Sequence, residues 1–511
     1  MSGNHMNRRE FVGLTTAGLA GGVLGLGTPT VAGAKANEWN PDRPLILTGK
    51  TLNVQPVLMY RTPQRREATS WKSWGGVQTE QAASDEASRI TKELNALSSR
   101  ANFPMNILPV VKVKNPEQAS QVHKMDYDVV IVYPATGSGD TLRACFAKDK
   151  ARDTIVFARH NSGPVYYWYE ALSVKYLKTD EGPFEQNSYK DHGGMHVNDV
   201  VIDDHQELLW RLRALYGIKN FIGARIVALG GPWGKYSPEA PDVAREKYRI
   251  EIIDVGYDDA AKRIKSVMAD RNLFSKAERW TKKYLSLPNT ILRTDEKFVV
   301  NAFLLYRVYK DLMRECDAPA FTMKSCMNTL MPIQKTTPCL PYSLINDEGL
   351  LAFCESDFVV IPSGILLHYI AGKPVFLHNS TFPHDAIVTC AHCTAPRRMD
   401  GSTYEPAKIL THYESEYGAA PKVELPQGKV VTFVDPEYST GRWVGFKGVV
   451  KSNPFLDICR SQQDVEIQGD WKKLLKEVRD SHWMMVYGDH LKELGYVSRK
   501  LGINWDNISR A

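Results

Sequence analysis

The stretch that decides the fold runs from Phe353 to Cys393 and reads FCESDFVVIPSGILLHYIAGKPVFLHNSTFPHDAIVTCAHC. Glu355, His378 and His392 each follow a short β-prone apolar run, which predicts that each lies at the end of a strand. A carboxylate and two imidazoles at strand ends are the components of a divalent-metal site. The alternative is that they are surface or loop residues under no shared constraint, because no fixed-spacing motif such as His-Glu-x-x-His is present.

Upstream of this stretch, predicted strands alternate with predicted helices. Apolar runs at 54–60, 128–133 and 225–229 indicate strands, and helical spacing is found over 80–97 and 203–216. Strands that alternate with helices are typical of βαβ units and a parallel sheet. The polar, glycine-bearing segment 180–194 places a domain boundary near residue 185.

From about residue 373 the pattern changes to strands joined by turns. The predicted strands are 373–377, 386–390, 422–425, 429–434, 443–450 and 464–467. Strands joined in this way predict an antiparallel sheet or barrel. The predicted fold class is therefore α/β, with two Rossmann-like parallel-sheet domains at 37–185 and 186–372. A β-rich, barrel-like C-terminal domain follows at 373–511.

The first 36 residues predict a targeting segment. Arg8 and Arg9 precede a Gly/Ala/Leu-rich run, and Ala32-Gly33-Ala34 offers a small-residue cleavage site. This arrangement is typical of a twin-arginine export signal. A membrane anchor needs about 20 strongly apolar residues, and this run is shorter and rich in Gly and Thr. We therefore expect export to the periplasm or the exterior, with no membrane insertion after processing.

Composition narrows the class of protein further. A chain of 511 residues with 43% hydrophobic and 24% charged residues predicts a multidomain globular protein. The formal net charge of +6 is spread without a basic stripe, which argues against nucleic acid as a partner. Cys390 and Cys393 have the Cys-x-x-Cys spacing of zinc or redox sites. A second Cys pair is missing, so a zinc knuckle is not the favoured interpretation.

These segments resemble the metal-site region of the L-fucose and L-arabinose isomerase superfamily. Glu355 matches the first metal position of that family, which closes a strand in a Cys-Glu-x-Asp setting, and His392 matches the third. The segment SHWMMVYGD at 481–489 is similar to the family's C-terminal His-x-x-x-x-Tyr-Gly segment, so that His482 matches the fourth position. The resemblance covers most of the mature chain in length and element order, and it is specific from Ser343 onward.

The second metal position departs from the family pattern, because His378 and Asn379 stand where the family has an acid. The resemblance implies a ligand set of Glu355, His378, His392 and His482. It also implies an aldose–ketose isomerase that works through an enediolate, with Mn²⁺ as the family metal. A three-His, one-Glu set leaves Zn²⁺, Fe²⁺ or Co²⁺ open. The missing acid–base group is then Asp357, on the same strand face as Glu355, or Glu348, or Asp489.

Three further residues are candidates for binding a sugar substrate. Arg61 and Trp74 lie in a loop after the first predicted strand, where guanidinium and indole groups can hold sugar hydroxyls, and Asn379 is beside the metal position. The alternative is that this loop packs on a neighbour. The resemblance implies a homo-oligomer, a trimer or hexamer. Other functions left open are an exported sugar epimerase or lyase and a non-catalytic carbohydrate-binding protein.

Overall fold

The structure is a computed structural model that describes residues 38–149, 151–167, 172, 177–179, 195–437 and 441–509. The chain divides into two compact units, Met1–Trp39 and Asn40–Ala511, and the elements below belong to the second. The predicted export signal at 1–36 lies outside the described residues. Among the described helices, none combines the length and apolar character needed to cross a bilayer.

The first sheet consists of parallel strands in the order β2-β1-β4-β5-β6, with β3 also paired to β1. Its described strands are β1 (Leu52–Met59), β2 (Met105–Ile107), β3 (Val111–Val113), β4 (Val129–Pro134), β5 (Asp153–Ala158) and β6 (Val200–Ile202). The sequence VVIVYP of β4 is buried on both faces, as parallel strands covered by helices require. Because β6 lies beyond residue 185, the first sheet extends past the predicted boundary.

The central sheet is also parallel and has the order β11-β10-β7-β8. The strands of this part of the chain are β7 (Arg225–Leu229), β8 (Glu251–Val255), β9 (Thr290–Leu292), β10 (Ala320–Met323) and β11 (Leu351–Cys354). β9 belongs instead to a small sheet with two later strands, β14 and β15, defined below. The carboxyl ends of β7, β10 and β11 therefore meet at one edge, where ligands bind in open parallel sheets.

The C-terminal region is the predicted β-rich domain. Its described strands are β12 (Phe376–Ser380), β13 (Ile387–His392), β14 (Ala407–Leu410), β15 (Ala420–Val423), β16 (Val430–Pro436), β17 (Arg442–Ser452), β18 (Ser461–Gln468), β19 (His482–Tyr487) and β20 (Asn504–Asn507). Antiparallel pairing runs β16-β19-β12-β13-β18-β17, and β16 pairs with β17 to close a barrel. The predicted fold class, two parallel-sheet regions followed by an antiparallel barrel, is confirmed.

Helices cover the parallel sheets and join them to the barrel. The described α-helices are α1 (Glu80–Arg100), α2 (Pro116–Val122), α3 (Gly139–Cys145), α4 (His205–Phe221), α5 (Ala240–Tyr248), α6 (Tyr257–Ala269), α7 (Arg271–Leu285), α8 (Glu296–Glu315), α9 (Cys326–Thr329), α10 (Met331–Gln334), α11 (Cys339–Asp347), α12 (Ile361–Ala371), α13 (Trp471–Glu477) and α14 (Leu491–Leu501). α12 follows β11 and is buried along its whole length, as its continuous apolar sequence predicts.

The packing of α12 against the barrel brings two distant parts of the sequence together. α12 packs on α4 and on β19. A Cβ atom at Gly364 would lie 2.6 Å from Met484 Cε, so the close approach of α12 to β19 requires glycine at this position. The carboxyl end of β11, which precedes α12, is thereby held near the start of β19.

Candidate functional site

Glu355 lies at the end of β11 in a strained turn. Glu355 and Ser356 both have left-handed backbone conformations, with φ of 62° and 57°, which residues other than glycine seldom adopt. Ser356 Oγ donates to Gly231 O at 2.9 Å, and the backbone of Trp233 pairs with the backbone of Ser356 and Phe358. Strain of this kind, on the order of 1–3 kcal/mol per residue, is maintained by surrounding structure and is typical of functional sites.

His482, the first residue of β19, points toward this turn. Its Nδ1 lies 2.7 Å from Asp357 Oδ2, and both side chains are fully buried. Asp357 Oδ1 also accepts hydrogen bonds from the backbone N–H groups of Lys235 and Val359. His482 Nε2 is buried without a hydrogen-bond partner among the described residues and lies 3.8 Å from Glu355 Oε2. An imidazole oriented by a carboxylate at one nitrogen, with the other nitrogen open, is the usual arrangement of a metal-binding histidine.

His392, the last residue of β13, completes the group. One ligand atom each from Cys354, Glu355 and His392 lie within 4.8 Å of one another, and the rings of His392 and His482 are 6.0 Å apart. His392 Nδ1 is 3.0 Å from Thr394 Oγ1. Burial, with a smaller contribution from the imidazole of His482, lowers the pKa of His392 well below its ordinary value. His392 is therefore neutral at pH 7, with a lone pair available to a cation.

We call Cys354, Glu355, His392 and His482 the Glu355 cluster. Cys354, Glu355 and His392 could hold a metal ion, because one ligand atom from each lies within 4.8 Å of the others, and His482 Nε2 lies 3.8 Å from Glu355 Oε2. Ligand atoms bound at about 2.1 Å in a tetrahedral site are roughly 3.4 Å apart, so a bound ion would require these side chains to move closer together. The Glu355 side chain is 39% exposed, which leaves one side of the cluster open to a substrate.

Two residues near this site were not recognised in the sequence. Cys354 is next to Glu355, and the sequence did not indicate it as a candidate ligand because it belongs to the predicted strand. Lys235 Nζ lies 3.5 Å from Glu355 Oε2 and comes from the loop after β7. The signal for Lys235 was the turn GGPWG at 230–234 after a buried strand, because ends of neighbouring parallel strands meet at one sheet edge.

His378 lies on the other face of the barrel sheet from His482. In the register of β12 and β19, His378 is opposite Trp483 and Asn379 is opposite His482. Residues directly opposite each other share a face, and successive residues alternate between faces. The ring of His378 accordingly contacts the rings of Phe433, at 5.5 Å, and Trp483, at 6.2 Å.

The geometry therefore does not support His378 as a ligand alongside His482. The sequence predicted a strand that ends at residue 377, which placed His378 outside the strand. In the structure β12 runs from Phe376 to Ser380, so His378 lies within the strand and its side chain has a fixed direction. Asn379 shares the face of His482, and its Nδ2 donates to Ser481 O at 3.2 Å. Of these two residues, Asn379 is therefore the one that shares a face with His482.

Glu348 is separated from the Glu355 cluster by a strand. It precedes β11, whereas Glu355 follows β11, so the two lie at opposite ends of that strand. The buried Glu348 carboxylate pairs with Lys310 and accepts a hydrogen bond from Tyr306 at 2.7 Å. Its contacts are those of a buried structural ion pair, and they correct its assignment as an acid–base group. Asp357 is also better described as a positioning residue, because it holds His482.

The predicted sugar-binding residues Arg61 and Trp74 lie in the first parallel-sheet region, after β1. Arg61 is exposed, and its backbone N–H donates to Thr136 Oγ1 at 2.8 Å. Trp74 is 65% exposed, with its ring 6.4 Å from that of Tyr167. The Glu355 cluster is instead built at the ends of β11, β13 and β19. The described contacts of Arg61 and Trp74 therefore do not place them in the cluster.

Comparisons with known proteins do not assign this site. No protein-family model matches the chain, and no curated protein matches it. Among solved structures, it is similar to a two-component system response regulator/GGDEF domain protein, with 10% identity over 62% of this chain and 96% of that chain. The TM-score of 0.22 is too low to support any inference about fold or function.

Proposed function

We propose that this protein is a metal-dependent sugar isomerase that interconverts an aldose and a ketose at the Glu355 cluster. The observation that carries the proposal is the partly exposed Glu355 carboxylate, 3.8 Å from the unpartnered Nε2 of the buried His482. A divalent ion held by Glu355, His392 and His482 would polarise the adjacent oxygens of a hydroxy-carbonyl substrate. The resemblance to the L-fucose and L-arabinose isomerase superfamily supports the same reaction.

Glu355 is the base in this proposal. Its carboxylate removes the proton from C2 of the aldose, which gives the enediolate, and returns a proton to C1. A single carboxylate on one side of the substrate can serve both carbons because they are adjacent. The second carboxylate of the resembled family is then not required for proton transfer, and the neutral Asn379 is compatible with the reaction.

Lys235 and Asp357 support Glu355 in different ways. The Lys235 ammonium, 3.5 Å from Glu355, can donate a proton to the carbonyl oxygen O1, and the amine that results can take up the proton that O2 loses, so that protons balance. Asp357 holds the imidazole of His482 in one orientation through the 2.7 Å hydrogen bond. The donor set of two imidazoles and one carboxylate favours Zn²⁺, Fe²⁺ or Co²⁺ over the Mn²⁺ that the resemblance implies.

Deuterium exchange tests the proposed reaction directly. The metal-loaded protein is incubated with a panel of aldoses in D₂O, and NMR is used to measure ketose formation and deuterium at C1. Glu355→Gln should lower both by about 10²–10⁴-fold, the usual contribution of a general base. The matched control is Glu466→Gln, because Glu466 is also a half-exposed acid, 40% exposed, and lies on β18.

The products separate the alternative functions. An epimeric aldose that carries deuterium at C2 would identify an epimerase, and an unsaturated product would identify a lyase. Binding of sugar without exchange or turnover would identify a carbohydrate-binding protein. Each of these results would contradict the isomerase proposal.

Export and assembly are part of the same proposal. We expect Arg8→Lys with Arg9→Lys to retain the precursor in the cytoplasm, as measured by fractionation. We also expect a homo-oligomer in which the exposed Trp74 reaches the site of a neighbouring subunit. In that arrangement Trp74→Ala raises KM for the sugar with little change in kcat. An active monomer in sedimentation would contradict the shared site.

A further inference from the structure

A second group of metal-binding side chains lies next to the Glu355 cluster in the sequence but has different chemistry. Cys339 begins α11, Cys393 directly follows β13, and His412 follows β14. One ligand atom from each of these three residues lies within 4.8 Å of the other two, and all three residues are buried. Three separate segments therefore bring two thiols and an imidazole to one point.

Cys459 brings a third thiol to the same place. Its side chain is partly buried. It also packs with Cys339, Cys393 and Ala420 in one small apolar group. Cys459 belongs to the segment before β18, so four segments contribute. We call Cys339, Cys393, His412 and Cys459 the thiol cluster.

The surroundings of the thiol cluster suit a bound cation. His412 Nδ1 lies 3.2 Å from Ser415 Oγ, which leaves Nε2 for an ion. Cys339 is at the positive N-terminal end of α11, which favours a thiolate there.

We propose that Cys339, Cys393, His412 and Cys459 bind one structural Zn²⁺ ion. Three sulfurs and one imidazole form one of the common closed tetrahedral zinc sites. The sequence spacing indicated Cys390 as the partner of Cys393, but Cys390 lies within β13, opposite Gln463 on β18, and is not one of these four residues. The four ligands come from separated segments, so no compact motif marks them in the sequence.

The charges around the thiol cluster are consistent with this ion. On binding, the three thiols release their protons to solvent, and three thiolates with a neutral imidazole give the Zn²⁺ site a net charge of −1. Arg460 is next to Cys459, and its guanidinium donates to Thr411 O at 2.7 Å, beside His412. The positive charge of Arg460 offsets the negative charge of the site, whereas the carboxylate of Glu414 adds negative charge nearby.

The ion would also stabilise the neighbouring site. Cys393 directly follows His392 in the chain, and His392 belongs to the Glu355 cluster. Zinc at the thiol cluster ties this strand end to α11 and to the loops after β14 and before β18. The proposed ion therefore acts as a positioning element for His392, and it does not depend on the reaction proposed for Glu355.

X-ray absorption at the zinc edge tests the proposal on the full chain without any substitution. After dialysis against a mild chelator, we expect one zinc per chain, with three sulfur neighbours at about 2.3 Å and one nitrogen at about 2.0–2.1 Å. Replacement of zinc by Co²⁺ should give the sulfur-to-cobalt charge-transfer absorption of a thiolate site. A zinc shell without sulfur, or a protein without zinc, would overturn the proposal.

Paired cysteine variants identify the ligands. Cys459→Ser should lose at least tenfold in zinc affinity, while the control Cys390→Ser, at a buried cysteine of the same region, retains the parent's affinity. Glu355→Gln should also retain this zinc, which separates the two sites. Zinc retention by Cys459→Ser equal to the parent's would exclude Cys459 as a ligand. A disulfide between Cys393 and Cys459 found by mass spectrometry in the purified protein would likewise overturn the proposal.

Discussion

The Glu355 cluster and the thiol cluster start from consecutive residues, His392 and Cys393, yet they differ in exposure and in donor type. The first has a carboxylate that is 39% exposed and sits in a strained turn at a sheet edge. In the second, Cys339, Cys393 and His412 are all buried. Catalytic metal sites keep an open position and structural ones are closed. The comparison shows that one strand end contributes to two groups of potential metal ligands, and that the elements around each side chain decide how exposed each group is.

Chelation should separate the two clusters most strongly. Dialysis of the protein against a chelator at neutral pH should reduce turnover by more than about 10²-fold, because metal at the open Glu355 cluster exchanges with solvent. One zinc per chain should remain at the thiol cluster. Turnover and zinc content are measured on the same sample, and added Zn²⁺ or Co²⁺ should restore turnover. Parallel loss of zinc and turnover would show that the two clusters are not distinct.

Substitution of His378 tests whether this histidine belongs to the Glu355 cluster. Burial lowers the pKa of His378 to about 3, so the folded protein does not take up a proton there when the unfolded chain, with a pKa near 6.5, does. The contribution of the neutral His378 to the unfolding free energy is full above about pH 6.5 and is lost as the pH falls toward about 3. The total loss is on the order of 5 kcal/mol.

His378→Leu should therefore lose less unfolding free energy on acidification than the parent, as measured by urea denaturation across this pH range. His368→Leu, at a buried histidine in α12 whose pKa is lowered to about 4, should show a similar but smaller change. Metal content of His378→Leu after dialysis should equal that of the parent. A loss of metal in this variant would show that His378 is a metal ligand.

Asp357 tests the orientation of His482. Asp357→Asn removes the carboxylate that accepts from His482 Nδ1, and the affinity of the Glu355 cluster for metal should fall about 10–100-fold. Competition with a metal indicator measures this change. Asp464→Asn is the control, because Asp464 accepts from Thr389 Oγ1 at 2.7 Å on β18 and contacts neither cluster. Unchanged affinity in Asp357→Asn would show that His482 does not bind metal.

The smallest effect is expected at Asn379. Asn379→Asp places a carboxylate on the face of His482, and it should shift metal preference toward Mn²⁺ by about tenfold relative to Zn²⁺ because harder oxygen donors favour Mn²⁺. The ratio is measured by competitive metal titration, with Asn379→Ser as a neutral control. An equal shift in both variants would exclude the added charge as the cause.

The sequence predicted most of the architecture because each signal was local. The run at 225–229 became β7 with the same bounds, and the change near residue 373 from alternating strands and helices to strands and turns marked the barrel. The boundary near 185 was less accurate. β6 is a short strand of three residues, whose pairing with β5 is a property of the sheet and not of its own sequence.

For the candidate site, the sequence by itself identified Glu355, His392 and His482 as metal-site candidates, from strand ends and the family resemblance. Only the tertiary structure decided that His378 faces Phe433 and Trp483, because one residue of register reverses the face of a side chain. Only the tertiary structure joined Lys235 to Glu355 and Cys339 to Cys393. Those pairs are separated by 120 and 54 residues, and no local pattern in a sequence encodes which distant strand ends and helix termini will meet.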